Sequence, residues 1–228
     1  EALIATTTPF GWAHAVVIVN DGSRDRTRDV ALELAERFDV TLLENDPNAG
    51  LGVTLNKGLQ HVGAICGDDD LVVTMDGDNT HPADTIPLMV KRIDDGHDVV
   101  VASRYCAGSL VRGVPAHRQM LSLGAALLSR TIAPLKGVRD YTCLFRMIRG
   151  SLLRRVCREV GDPLVLERGF ACSMELLLLL GRFTTRMCEV PMDLKYDQKP
   201  GASSMNVKKT IVDSFSLLFR HRFGSRRA

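Results

Sequence analysis

The sequence predicts an α/β fold in which parallel strands are joined by right-handed helical crossovers. Three observations predict it. Short apolar runs alternate with helix-period patterns through the first hundred residues. Two of those runs end on polar, glycine-bearing turns, NDGS and DGDN, at the strand ends where ligands gather in such folds. The 228 residues, 45% of them hydrophobic, suffice for one sizeable domain, or for one domain with an appendage.

The elements follow in order. AVVIVN (15–20) is the first apolar run. SRDRTRDVALELAERF then carries Val30, Leu32, Leu34, Ala35 and Phe38 at mostly helical spacing, with Ser23 as the expected N-cap. VTLLE (40–44) reads as a strand and LGVTLNKGLQHVGAI (51–65) as a helix. LVVTMD (71–76) is a third strand, and Pro82 opens the next helix, PADTIPLMVKRI. DVVVAS (98–103) is a fourth strand. Residues 117–134 and 169–181 read as helices, and RMCEVPMDLKY (186–196) as a late strand that Pro191 assigns to an edge or a bulge. Residues 205–223 form an amphipathic helix. Val207, Ile211, Phe215, Leu218 and Phe219 lie to one side of it, and Lys208, Lys209, Ser216 and Arg220 lie elsewhere. No repeat or low-complexity tract interrupts the pattern.

The net charge of +2 conceals an uneven distribution. Residues 67–98 hold nine aspartates against Lys91 and Arg92. The chain's end holds Lys208, Lys209, Arg220, Arg222, Arg226 and Arg227 against Asp213. This asymmetry points to one site for cations and another surface for anions. Nucleic acid is not the expected partner, because no aromatics are interleaved with the basic residues. The six cysteines form no C-x-x-C pair and read as reduced thiols of a cytoplasmic protein. No signal peptide is visible, and no apolar run approaches the ~18 residues of a membrane span.

The chemistry centres on Asp76-Gly77-Asp78, where an apolar strand runs straight into two carboxylates. Burying them unpaired is costly, so they meet a cation or sit in water. Gly77 permits a tight turn that brings them together. Two carboxylates with open positions suit Mg²⁺ or Mn²⁺, completed by phosphate oxygens of a substrate; two solvated loop aspartates are the alternative. VNDGS is either strand–turn–helix capping or a nucleotide pocket in which Asp21 accepts hydrogen bonds. NAGLG either caps a helix or turns its N–H groups toward an anion. Arg104, Arg118 and Arg146, near predicted element ends, are phosphate forks or solvated surface arginines.

VNDGSRDRT, NAGLG, MDGDNTHP, VVASRY, RQMLS, DYTCLFR, SMELLLLLGR, EVPMDL and KPGASSM occur in that order over nearly the whole chain. Together they resemble the family-2 glycosyltransferases. The later segments resemble the dolichyl-phosphate mannosyltransferase and polyprenyl-phosphate glycosyltransferase branch. The resemblance implies a GT-A (Rossmann-like) fold: a mixed, mostly parallel sheet flanked by helices, spanning 1–204. Residues 205–228 would form the basic amphipathic segment. Asp76 and Asp78 would hold the metal, with Asn20, Asp21, Gly22 and Gly77 around the nucleotide. Asp78, Arg104 and Arg118 would be catalytic. Arg104, Arg118 and Ser122 match positions that bind the acceptor phosphate or the donor diphosphate. Glu175 matches the acidic residue of the family's ME helix, and Gly201 and Ser203 match the loop that closes over the donor. The sequence departs from the family at Asn20, where aspartate is usual, and at Leu144, where glycine is usual. Gln198 and Ser204 stand where arginine and lysine are common, with Lys195 or Lys199 as substitutes. EALI resembles the end of the family's N-E-x-x-I motif, so a strand is expected to precede it.

The implied reaction is transfer of mannose or glucose, with inversion, from a GDP- or UDP-sugar to a polyprenyl or dolichyl phosphate. A lipid phosphate is already an anion and needs no general base. Such an enzyme would work at the cytoplasmic face of a membrane. The helix at 205–223 would lie on anionic lipid or pack on the core. One rival is a hydroxyl acceptor with a base near Glu167 or Glu175. A second is a catalytically silent binding protein, to which Asn20, Leu144 and Ser204 point. A nucleotidyltransferase is the third and weakest, for want of a glycine-rich, lysine-bearing loop at the start.

Overall fold

The computed structural model describes residues 2–114, 116–195 and 207–223. A short helix, α1 (Ala2–Thr7), precedes the expected alternation: β1 (Val16–Asn20), α2 (Thr27–Ala35), β2 (Val40–Glu44), α3 (Leu51–Ile65), β3 (Leu71–Thr74), α4 (Ile86–Asp94) and β4 (Val99–Ser103). The second half adds β5 (Leu110–Arg112), α5 (Ala116–Ile132), β6 (Arg146–Arg149), α6 (Gly150–Val160), α7 (Cys172–Phe183), β7 (Met187–Pro191), β8 (Asp193–Lys195) and α8 (Val207–Phe223).

The strands do not share one sheet among the described residues. β1 and β2 pair in parallel by themselves, and β5 pairs in parallel with β8. The main sheet has the order β3-β6-β4-β7, with β6 antiparallel to both neighbours and β7 parallel to β4. All five residues of β4 are buried, as expected of an interior strand covered on both faces. β7 lies at the sheet's edge, which is where Pro191 is tolerated. The leucine run of α7 is buried from Leu176 to Leu180, so MELLLLLG is a core helix.

Two local expectations change. Ser23 does not cap α2: its N–H donates to Asn20 Oδ1 at 3.1 Å, and Asp25 Oδ1 receives the Thr27 N–H at 3.0 Å. α2 buries only Ala31, and Val30 and Leu32 are exposed, so its apolar pattern does not mark a core face. α8 buries Ser214, Leu217 and Leu218 while Val212, Phe215 and Phe219 face solvent. It is both packed on the protein and apolar outside.

Candidate active site

β3 delivers the DGDN turn at its carboxyl end. His81 folds back under this turn. Its ring is buried and stacks on Phe145, with centroids 5.1 Å apart and planes 17° from parallel. Nδ1 accepts the Asp76 N–H at 3.0 Å, which makes Nε2 the protonated nitrogen of the neutral ring. Nε2 lies 3.9 Å from Asp76 Oδ2. Burial holds the imidazole below its ordinary pKa, against the pull of Asp76 and Asp78. Asp78 Oδ1 accepts the Thr80 N–H at 3.2 Å and hydroxyl at 2.7 Å, fixing the second carboxylate. The left-handed residue of the turn is Asn79, with φ of 60°. Gly77 therefore does not supply the backbone freedom expected of it. A Cβ there would meet nothing within 4 Å, so the glycine leaves space open beside the carboxylates.

The Asp76 side chain is 44% exposed. Among the described residues no group of three or more His, Cys, Asp and Glu converges to enclose a metal. Two partly solvated carboxylates fit a hard divalent cation that takes its other oxygens from substrate and water.

Arg104, just past β4, is already clamped. Nε donates to Asp140 Oδ2 at 2.7 Å and Nη2 to Asp140 Oδ1 at 2.6 Å; Nη2 also reaches Thr142 Oγ1 at 2.6 Å. The guanidinium lies over the Tyr105 ring, 5.3 Å from its centroid. Burial alone would raise the Asp140 carboxyl, yet Arg104 and backbone N–H groups hold it below its usual range. Arg104 thus offers a phosphate only the edge that Asp140 leaves, not a full fork. Tyr105 Oη shares a 2.6 Å hydrogen bond with Ser122 Oγ on α5, which ties that helix to the site. The Arg118 side chain, Gln198, Lys199, Gly201, Ser203 and Ser204 lie outside the described residues, and Lys195 ends β8.

The structure changes the reading of three polar residues. Arg146 is fully buried in β6 and donates to the carbonyls of Ser173 and Tyr141, so it holds β6 to α7 and meets no phosphate. Asn20 is buried, and its Oδ1 caps the Ser23 amide. Asp21 faces the NAGLG loop: Oδ1 accepts the Ala49 N–H and Oδ2 the Gly50 N–H, each at 2.9 Å, and Asn45 Nδ2 donates at 3.0 Å. Burial opposes its ionisation, but these bonds prevail and hold its pKa down. Gly22 beside it has φ of 67°, and a Cβ there would come within 2.8 Å of the Asn48 nitrogen.

Glu175 Oε2 accepts the N–H groups of Leu166 and Glu167, each at 2.8 Å, and burial raises its pKa. Glu167 pairs with Arg220 of α8. One oxygen of each carboxylate is thus engaged within the fold. Sequence reasoning missed Asp140, His81 and Asn45. The spacing of DGDNTHP offered a signal for His81 only, five residues beyond Asp76.

The chain matches the glycosyl transferase family 2 over residues 13–157. It is 30% identical over 211 residues to a dolichol-phosphate mannosyltransferase of Pyrococcus furiosus, covering 92% of this chain and 55% of that one. It is 26% identical over 222 residues to a dolichyl-phosphate beta-glucosyltransferase of Trichomonas vaginalis, covering 95% and 64%. It is 28% identical over 220 residues to an undecaprenyl-phosphate 4-deoxy-4-formamido-L-arabinose transferase of Edwardsiella ictaluri, covering 94% and 60%. The chain thus spans 55–64% of the length of these three relatives. Among solved structures, glucosyl-3-phosphoglycerate synthase of Mycobacterium tuberculosis, in complex with Mn²⁺, UDP and glucosyl-3-phosphoglycerate, superposes with a TM-score of 0.65 at 17% identity. The superposition covers 99% of this chain and 76% of that one. This likeness shows the fold, the GT-A architecture expected from the sequence.

Proposed function

Because the chain belongs to glycosyl transferase family 2, we propose that it moves mannose or glucose from a GDP- or UDP-sugar to a polyprenyl or dolichyl phosphate, inverting the anomeric carbon. The observation that carries this reading is that the candidate general bases Glu167, Glu175 and His81 each have an atom engaged within the fold. Glu175 Oε2 accepts two backbone N–H groups, Glu167 Oε1 pairs with Arg220, and His81 is buried with Nδ1 engaged. A hydroxyl acceptor needs such a base and a phosphate monoester does not. Three relatives named for transfer to dolichyl or undecaprenyl phosphates support the same acceptor class.

In this reaction a phosphate oxygen of the lipid bonds to the anomeric carbon. The bond from that carbon to the donor diphosphate breaks, and its electron pair leaves with the nucleoside diphosphate. Asp76 and Asp78 would hold Mg²⁺ or Mn²⁺, which when bound neutralises charge on the departing diphosphate. His81 and Thr80 keep those carboxylates in place through the Asp76 amide and Asp78 Oδ1. The Asp21-bound loop presents the nucleotide half of the site, and the remaining Arg104 edge together with Arg118 orients the phosphates. A polyprenyl chain sits in a bilayer, and no described helix is long and apolar enough to cross one. The acceptor phosphate would be met where the bilayer surface presents it.

The test is a screen of radiolabelled GDP- and UDP-sugars against polyprenyl phosphates with Mg²⁺ or Mn²⁺. Label is expected in a lipid product that mild acid releases. Transfer to a sugar or lipid hydroxyl in preference to lipid phosphate would replace this reading with the hydroxyl-acceptor one.

A further inference from the structure

A second polar site lies away from the DGDN carboxylates. A cavity of about 320 Å³ is lined there by four arginines and two aspartates. Arg154, Arg155 and Arg158 reach it from α6, and Arg186 from the residue before β7. Asp98, in the same lining, directly precedes β4, whereas Arg104 directly follows that strand. β3 and β4 both run antiparallel to β6, so the DGDN turn lies at the Arg104 end. The five residues of β4 span about 17 Å. The cavity and the candidate active site therefore open at opposite ends of the main sheet.

The aspartates do not balance the arginines. Asp68 pairs with Arg154 at 2.7 Å. Asp98 takes Arg186 at 2.7 and 2.9 Å and is shared with Arg149 at 3.4 Å. Arg155 is held without an acid: Nη2 donates to the Phe183 carbonyl, and the guanidinium lies over the Phe183 ring, 5.5 Å from its centroid. Arg158 is exposed and has no hydrogen-bond or ion-pair partner among the described residues, and the same is true of the Ser151 hydroxyl in the cavity wall. Glu159, the acid of α6, does not line the cavity. Arg154 and Arg158 stand one turn apart, a like-charge pair that destabilises a helix. The macrodipole favours Arg158 in the last turn of α6 but gives no advantage to Arg154 and Arg155 at its middle. The fold thus gathers cations at a cost that a bound anion would offset.

We propose that this cavity binds the diphosphate group of a small soluble ligand, at a site separate from the donor's. Two guanidiniums without an acid, Arg155 and Arg158, match two phosphoryl groups, and arginine forks bind phosphate oxygens in pairs. Arg154 and Arg186 flank them, and the Ser151 hydroxyl supplies a neutral donor. The Ser151 N–H is already taken by the Asp68 carbonyl at 3.1 Å, so side chains and not the start of α6 form the site. The volume lies at the small end of small-molecule sites, enough for a diphosphate with any nucleoside leading out to solvent. Arginines and not carboxylates meet the phosphates, so binding needs no divalent metal. A bound diphosphate would bridge α6 to the start of β7. The site does not depend on the transfer reaction proposed above.

Calorimetry and thermal melting of the whole chain in metal-free buffer test this, with inorganic pyrophosphate, GDP, UDP and sulfate as probes. Pyrophosphate should bind and raise the melting temperature. Arg158→Gln should weaken that binding about tenfold. Arg158 has no partner to lose, so the melting temperature of this variant without ligand should stay at the parent value. Arg155→Gln with Arg158→Gln should remove measurable binding. Asp76→Asn, at the other end of the sheet, should stay within about twofold of the parent. GDP or UDP binding more tightly than pyrophosphate, with the same loss in the arginine variants, would assign the site to a nucleotide; equal affinity would assign it to the diphosphate alone. Parent-like pyrophosphate binding by Arg158→Gln, or its loss in Asp76→Asn, would overturn the proposal. Sulfate binding as tightly as pyrophosphate would overturn it too and leave an adventitious ion only. Sugar transfer enters none of these readings, so failure of the transfer proposal would show separately.

Discussion

Asp140→Asn tests how much of the site rests on one buried ion pair. The Asp140 carboxylate is fully buried and serves Arg104 with both oxygens, at 2.7 and 2.6 Å. It also accepts the backbone N–H groups of Arg104 and Cys143, each at 3.1 Å. Asparagine keeps the shape, removes the charge and turns one acceptor into a donor facing donors. Breaking a buried pair by losing one partner costs about 3–5 kcal/mol. The Arg104 side chain is 21% exposed, so water relieves part of the loss and the lower end applies. At about 2–4 °C per kcal/mol for a chain of this size, the melting temperature should fall by roughly 6–12 °C at pH 7.

The pH dependence has a definite sign. The folded-state pKa of Asp140 is depressed by Arg104 and the N–H groups in spite of burial. Its contribution is therefore present above the unfolded carboxylate value near ~4 and is lost as pH falls through the lower folded value. The gap between parent and variant should hold from pH 7 to about 5 and narrow below about 4. Urea denaturation followed by circular dichroism at a series of pH values measures it. Arg104→Met with Asp140→Leu, which removes both charges, should recover at least half of the loss. A shift under about 2 °C at pH 7, or a gap indifferent to acid, would refute the claim that this pair supports the site.

Asp76→Asn or Asp78→Asn should lower sugar transfer about 10²–10³-fold and abolish the loss of free Mn²⁺ signal that nucleotide and parent chain produce in paramagnetic resonance. Arg118→Ala should raise the KM for lipid phosphate by the equivalent of about 1.5–3 kcal/mol, with nucleotide affinity measured by calorimetry nearly unchanged. Gly52→Ala would place a Cβ 1.8 Å from the Glu167 carbonyl oxygen, so its urea midpoint should drop by the equivalent of about 1–3 kcal/mol. Gly77→Ala, with open space at its Cβ, should stay within about 0.5 kcal/mol of the parent.

The sequence showed the strand–helix alternation and the DGDN turn because both are local: a period, a turn composition, two carboxylates one residue apart. Arg146 shows where local reading stops. Its position at an element end suggested a phosphate fork, but β6 inserts between β3 and β4. That strand order, which no periodicity encodes, buries Arg146, Met147 and Ile148 of β6. Arg104 and Asp140 fail to announce each other for the same reason, being 36 residues apart. Asn20 is a subtler case. As a departure from the family's usual aspartate it suggested lost activity, yet its amide caps the turn as a carboxylate would. The substitution is therefore weak support for a silent protein.

The deeper organisation lies in the segment between α6 and α7. Asn56, buried in α3, accepts the Leu164 and Val165 amides through Oδ1 and donates to the Val165 carbonyl. The Gly52 amide donates to the Arg168 carbonyl at 2.9 Å, so the helix that begins at the Asp21-bound loop is fastened along its first turns. From the other side Glu175 of α7 takes the Leu166 and Glu167 amides, and Glu167 pairs with Arg220. β1 and β3 share no ladder among the described residues, so side chains carry what hydrogen-bonded strands would otherwise carry. Helix α3, the core helix α7 and α8 thus meet on one loop. Glu175 stands at its centre, where Oε2 takes both amides and fastens that loop to α7.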